Sequence, residues 1–151
     1  MDGQSDLKQL KTWLSTFPGA AAIGQMQVDY TSSLPGCFGV FPAGLVEVGR
    51  TEDLIGNVTV ENQYNFALYL VFEKAPGDDA GATVNADWVM EFQRWVQRES
   101  IAHRAPTFGD VDLQRETISA QNGALYSADA EGLGMYLIRL SATFRNYYSA
   151  E

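Results

Sequence analysis

The chain has 151 residues, 46% hydrophobic and 19% charged, a globular balance that fits a single domain over 1–151 with a core of its own. Lys and Arg number 10 against 19 Asp and Glu, a net charge of −9. That balance disfavours nonspecific gripping of nucleic acid, which needs clustered cations, but lets a polyanion slide along a like-charged wall.

One cysteine, Cys37, excludes an internal disulfide framework and a cysteine-based zinc cluster. It is read as a small packing residue in a reducing compartment. No apolar run reaches the roughly 18 residues of a transmembrane helix. The N-terminal MDGQSDLK does not resemble a signal peptide. The expectation is a soluble protein made inside the cell, without a membrane partner.

The first element is a helix over 5–17, because Leu7, Leu10, Leu14 and Phe17 share one face at a period of 3.6. Asp2 or Ser5 can cap it, and Pro18-Gly19 stops it. A short strand follows near 26–30, then a turn-rich loop over 31–36. The region 37–48 reads as a strand whose breakers Gly39, Pro42 and Gly44 suggest bulges or an edge position. Residues 49–57 carry Arg50, Glu52, Asp53, Gly56 and Asn57 and read as a polar turn. From 57 to 72 the even positions Val58, Val60, Asn62, Tyr64, Phe66, Leu68, Leu70 and Phe72 alternate with a more polar odd set. This is strand patterning with one buried face, far longer than the usual strand of about 5–6 residues. Such a strand crosses two sheets or projects as an arm, and with its predecessor it forms a long antiparallel hairpin.

Residues 75–83 (APGDDAGAT) read as a loop. A second helix is expected over 86–103, with Asn85 as N-cap. Its apolar face is Trp88, Val89, Phe92, Trp95 and Val96, and its polar face Glu91, Arg94, Gln97 and Arg98. A strand over 111–120, a hairpin turn at Asn122-Gly123, a second turn over 129–134 and a last strand over 135–148 complete the chain. The order α-β-β-β-α-β-β predicts an α+β fold, an antiparallel sheet with a long hairpin packed by two amphipathic helices.

Chemistry is harder to find. The single histidine, His103, falls at a helix C-terminus, where a cation suits the helix dipole. A Cys37–His103 dyad has no support in the pattern. Asp78-Asp79 and Asp110-Val111-Asp112 are too few oxygen donors for a hard cation and read as solvated loop charge. No phosphate-binding glycine motif occurs, and Asn57-Val58-Thr59, although a glycosylation sequon, reads as a turn-to-strand junction. The aromatics lack the basic groove that base stacking needs and read as core and interface packing. Tyr147-Tyr148 either packs on the chain's own sheet or anchors an interface. No catalytic residue, cofactor or metal ligand is therefore expected. A small ligand-binding domain or enzyme, with a pocket lined by Trp88, Trp95 and Tyr64, is the alternative from another functional class.

Four segments together resemble a known family: LKQLKTWLSTFP, EVGRTEDLIGNVTVENQYNFALYLVFEK, DWVMEFQRWVQRES and GLGMYLIRLSATFRNYY. In order and pattern they are similar to the tail-terminator or tail-completion (minor capsid) proteins of long-tailed bacteriophages and prophages. The resemblance implies a homo-oligomeric ring, a hexamer, that caps the tail tube at the head–tail junction of the virion. Its implied partners are further copies of itself, the tail tube protein and the head-completion protein, with DNA only passing through the channel. It implies no catalytic residues. The long hairpin would contact neighbours, which makes Arg50, Glu52, Asp53, Asn57, Tyr147 and Tyr148 the candidate interface. Another head–tail joining part, a stopper or tube subunit, is the nearer alternative.

Overall fold

The alternation over 57–72 is a strand, Val58–Glu73, of 16 residues, and it is the centre of the molecule. The computed structural model describes residues 5–18, 25–28, 37–73, 79–128 and 133–150, with backbone alone at 25–28, 37–38, 72–73, 79–84, 122–128 and 133–134. In chain order the elements are α1 (Asp6–Leu14), β1 (Gln25–Val28), β2 (Cys37–Glu52), β3 (Val58–Glu73), α2 (Asp79–Ile101), a 3-10 turn (Leu113–Arg115), β4 (Thr117–Ala128) and β5 (Leu133–Tyr148). The fold is α+β, in the expected element order. One five-stranded sheet has the order β1-β2-β3-β5-β4. Strands β2 to β5 are antiparallel, and β1 adds to β2 in parallel through Gln25–Val28 against Cys37–Val40.

Both helices cover the even face of β3. Leu10, Trp13 and Leu14 of α1, with Phe17 just beyond it, meet Val89, Phe92, Trp95 and Val96 of α2 over Phe66, Leu68, Leu70, Ile138 and Leu140. Trp13 stacks on Trp95 with ring centroids 4.7 Å apart, and Phe17 meets Trp88 and Phe92 edge-on. These offset and edge-to-face geometries are the favoured ones for aromatic rings. Trp13 Nε1 donates to the buried Glu99 carboxylate at 3.3 Å, which also pairs with Arg104 at 2.7 Å. Ser5 is the N-cap of α1, its hydroxyl accepting from the Lys8 N–H at 3.1 Å.

Helix α2 begins at Asp79 and not at Ala86, so the loop expected over 75–83 is helical from 79 onward, and Asn85 is a buried residue inside the helix instead of its cap. A continuous helix buries more apolar stripe, and packing outweighs the weak local preferences of Gly and Asp. At its other end His103 adopts φ 59°, with the His103 N–H on Ser100 O and the Arg104 N–H on Glu99 O. This is a Schellman closure with histidine in the left-handed position that glycine favours.

Asn122-Gly123 is not a hairpin turn. Backbone pairing runs through it from Gln121↔Arg139 to Ala124↔Leu137, which leaves one extra residue on β4. An Asn-Gly pair supplies the backbone freedom of a bulge as readily as that of a turn. The strand expected over 111–120 is also displaced to Thr117–Ala128, and Val111 makes only an isolated bridge to Arg145. The loop over 31–36, positions 129–132 of the turn expected over 129–134, Asp2, Gly19, Asp78 and the Cys37 side chain lie outside what is described, and with them the Asp78-Asp79 pair and the Cys37–His103 dyad; positions 133–134 of that turn belong to β5 instead.

The segment between α2 and β4 is a strap along the outer half of β5. Phe108 packs on Tyr64 and Phe144 with centroids at 5.4 and 5.9 Å. The Glu116 carboxylate accepts from the N–H groups of Phe108 and Gly109 at 2.8 and 3.1 Å. Burial, the largest effect, pushes its acidity toward the protonated form despite those bonds. Asp110 donates its N–H to Arg145 O and accepts the Tyr147 N–H, both at 3.0 Å. Asp112 faces Arg145 at 3.8 Å. The Asp110-Val111-Asp112 acids are therefore ties between strap and sheet.

Two substitutions test these backbone arguments. A Cβ at Gly109 would collide with the Arg145 carbonyl, so Gly109→Ala is expected to destabilise by about 1–3 kcal/mol in denaturant unfolding. His103→Gly removes the strain of a left-handed non-glycine and is expected to stabilise by about 1 kcal/mol in the same assay.

Candidate assembly surface

The helices cover only part of the sheet. From Tyr64 outward polar groups enter the inner face beside the buried Phe144 and Val60. The Tyr64 hydroxyl donates to Asp6 at the start of α1 at 2.6 Å, and burial, aided by that carboxylate, pushes its pKa up to about 12. The next inner position, Asn62, is buried and donates to Asn146 at 2.9 Å. From there β2, β3 and β5 run on as an arm.

Strand β2 is the outer strand of this arm. Its pairing with β1 ends at Val40, so residues 41–52 have no further neighbour on that side among the described residues. Two bulges interrupt it, one between Pro42 and Gly44 and one between Glu47 and Gly49. The first uses Gly44 at φ 95°, a conformation that suits glycine. The second has a local consequence. Residues three apart in a regular strand face opposite ways, but the extra residue Val48 brings Glu47 and Arg50 together in a two-point ion pair at 2.8 and 2.9 Å. The hydrogen bond lowers the carboxylate's pKa and raises the guanidinium's. Both groups are exposed, so the pair adds little stability.

The turn joining β2 to β3 is stapled by its own side chains. Asp53 Oδ1 accepts the N–H groups of Ile55 and Asn57 at 2.9 and 3.0 Å, and Oδ2 accepts Asn57 Nδ2 at 2.9 Å. Backbone bonds from Gly56 N to Asp53 O and from Asp53 N to Asn57 O close it, and Gly56 supplies φ 95°. Asn57 Oδ1 also accepts the Ala150 N–H at 2.9 Å, tying the end of β5 to the turn. Both polar atoms of the Asn57 amide are engaged, consistent with a turn-to-strand junction.

This small lattice holds Leu54 fully exposed and Ile55 78% exposed at the tip. Leu45, Val46 and Val48 on β2 are also about half exposed. Tyr147 and Tyr148, opposite Thr59 and Val58, are 48% and 56% exposed and so are not covered by the chain's own sheet. Most of the large exposed apolar side chains among the described residues are on this arm, where an apolar patch marks an interaction surface.

The structure gathers all six residues predicted from the sequence at this end. Arg50 is held by Glu47, Glu52 is exposed, Asp53 and Asn57 build the turn, and the two tyrosines close β5. Reading the turn as polar missed Leu54 and Ile55. Two aliphatic residues at the centre of a turn, where Gly, Asn, Asp or Pro is usual, were the available signal.

The opposite edge of the sheet is capped at its start by side chains of α2. The Ile118 N–H on β4 donates to Ser100 Oγ at 3.1 Å, and Gln93 Nε2 of α2 donates to Ala120 O at 3.1 Å. These side chains occupy the groups that an added strand would use. Trp88, Trp95 and Tyr64, proposed above as pocket walls, are committed to ring packing. Among the described residues, no group of three or more His, Cys, Asp or Glu is placed to hold a metal ion, and no helix is long and apolar enough to cross a membrane. No family model matches the chain, and no curated protein matches it.

The staple gives a pH prediction. The hydrogen bond from Asn57, followed by the backbone N–H donors, holds the Asp53 carboxyl below its usual range. A depressed folded value stabilises the turn above the unfolded value and is lost as pH falls through the folded one. The amide signals of Ile55 and Asn57 are therefore expected to titrate together, by NMR, with a midpoint below the ordinary Asp value of about 3.9.

Proposed function

We propose that this chain is a structural assembly protein of the tail-terminator type. It forms a closed homo-oligomeric ring, a hexamer, that caps a phage tail tube and contributes to the head–tail junction. The observation that carries this reading is the arm, a sheet extension past the helices that displays Leu54, Ile55 and Tyr148 on a stapled turn and its neighbouring strand end. A stiff tip pays its ordering entropy during folding, so little is lost on docking. One surface presented outward and another on the body give a head-to-tail contact, which closes into a ring when the rotation permits.

The proposed partners are other copies, the tail tube protein and a head-completion protein. The net charge of −9 suits a channel through which DNA passes without adhering. Termination of tail growth then needs one ring face that matches the tube and another that does not. No bond is made or broken, so the proposed role is not enzymatic.

The test is solution mass by light scattering over a concentration series, with electron microscopy of the largest species. A closed ring of discrete size is expected. A strict monomer at every concentration, or an open dimer, contradicts the proposal.

A further inference from the structure

The arm's tip needs a receptor, and the chain carries a groove that suits it. Between the outer side of α2 and the start of β4 lies a groove of about 360 Å³. Its floor is Ile118 and Ala120, and Ile101, 73% exposed, stands at its wall. Arg94 is at its rim and makes no ion pair with another described residue.

We infer that this groove is the socket for Leu54 and Ile55 of a second copy, an inference that rests on the ring reading. Three observations select that occupant. The tip is a compact aliphatic pair flanked by the exposed carboxylates of Glu52 and Asp53, and the groove sets Ile101, Ile118 and Ala120 among the polar side chains of Gln93, Gln97, Ser100 and Ser119, with at its edge an Arg94 guanidinium that makes no ion pair among the described residues. Two chains of charge −9 repel at long range, so contact needs a local pairing of opposite signs, and Glu52 or Asp53 against Arg94 supplies one. Strand addition is disfavoured at the groove and along the arm. Ser100 and Gln93 occupy the Ile118 N–H and Ala120 carbonyl of β4, and the bulges at Ala43 and Val48 break the open edge of β2. Side chains from a tip, and not a backbone ladder, are what the groove can receive. Tip and groove are different surfaces, so the contact is heterologous and each copy both gives and receives.

The test uses two full-length variants whose changes fall on exposed side chains, so folding is retained and is checked by circular dichroism. One has a dead tip, Leu54→Asp with Ile55→Asp. The other has a dead groove, Ile101→Asp with Arg94→Glu. Each alone is expected to be monomeric at concentrations where the wild-type chain assembles. Mixed one to one, they retain a single good interface, the tip of the second in the groove of the first. The mixture is then expected to show twice the monomer mass and nothing larger. If either variant assembles like the wild type, or the mixture stays monomeric, this interface is wrong while the ring reading survives. If the wild-type chain itself never assembles, both are wrong.

Discussion

The molecule depends on the pairing of β3 with β5. These strands run 16 residues each, and their register is unbroken from Val58↔Tyr148 to Glu73↔Leu133. At about 3.4 Å per residue such a ladder is roughly 50 Å long. Helix α2, with 23 residues, spans roughly 35 Å, and α1, with 9, spans about 14 Å. Two helices lying side by side on one face cannot cover it. Past the helices the strap covers part of the sheet through Phe108 and Asp110, and what lies beyond it ends in water or in another molecule.

The covered and uncovered parts are built differently. Over the core the inner face is aliphatic and aromatic, with Phe66, Leu68, Leu70, Ile138 and Leu140 beneath the helices. At the boundary it turns to paired polar groups, Tyr64 with Asp6 and Asn62 with Asn146. The strap at Phe108–Asp112 then secures β5 through backbone bonds where no helix reaches. Val60 and Phe144 are still buried there, and past them side-chain hydrogen bonds hold the tip. Stability thus passes from hydrophobic burial to local polar geometry along the ladder. A stiff projection with exposed aliphatic residues is the result, and stiffness is what a docking element needs.

Much of this was legible from the residues. The even positions from 60 to 70 marked both the strand and its buried face, and the stripe from Val89 to Val96 marked the covered side of α2. Burial repeats at a fixed period, so sequence carries it. The bulges were only partly legible. Gly44 betrayed one because its φ needs glycine, whereas Val48 gives no sign of the other. Asn122-Gly123 misled because a turn and a bulge draw on the same backbone freedom. Asn85 misled because a good cap residue is tolerated inside a helix whose packing outweighs its preference. At the arm, the polar residues of the turn were visible as a group, but Leu54 and Ile55 acquire meaning only when their exposure is known. The groove between α2 and β4 was invisible, because it joins residues from two elements whose adjacency only the fold establishes.

The most direct measurement is a cryo-electron microscopy structure of the assembled wild-type chain at side-chain resolution. Leu54 and Ile55 of each copy are expected to be buried against the neighbour's Ile101 and Ile118, with the β3–β5 ladder intact to Tyr148. An assembly in which the tips stand free in solvent, or in which copies join by continuing the sheet, would contradict this arrangement.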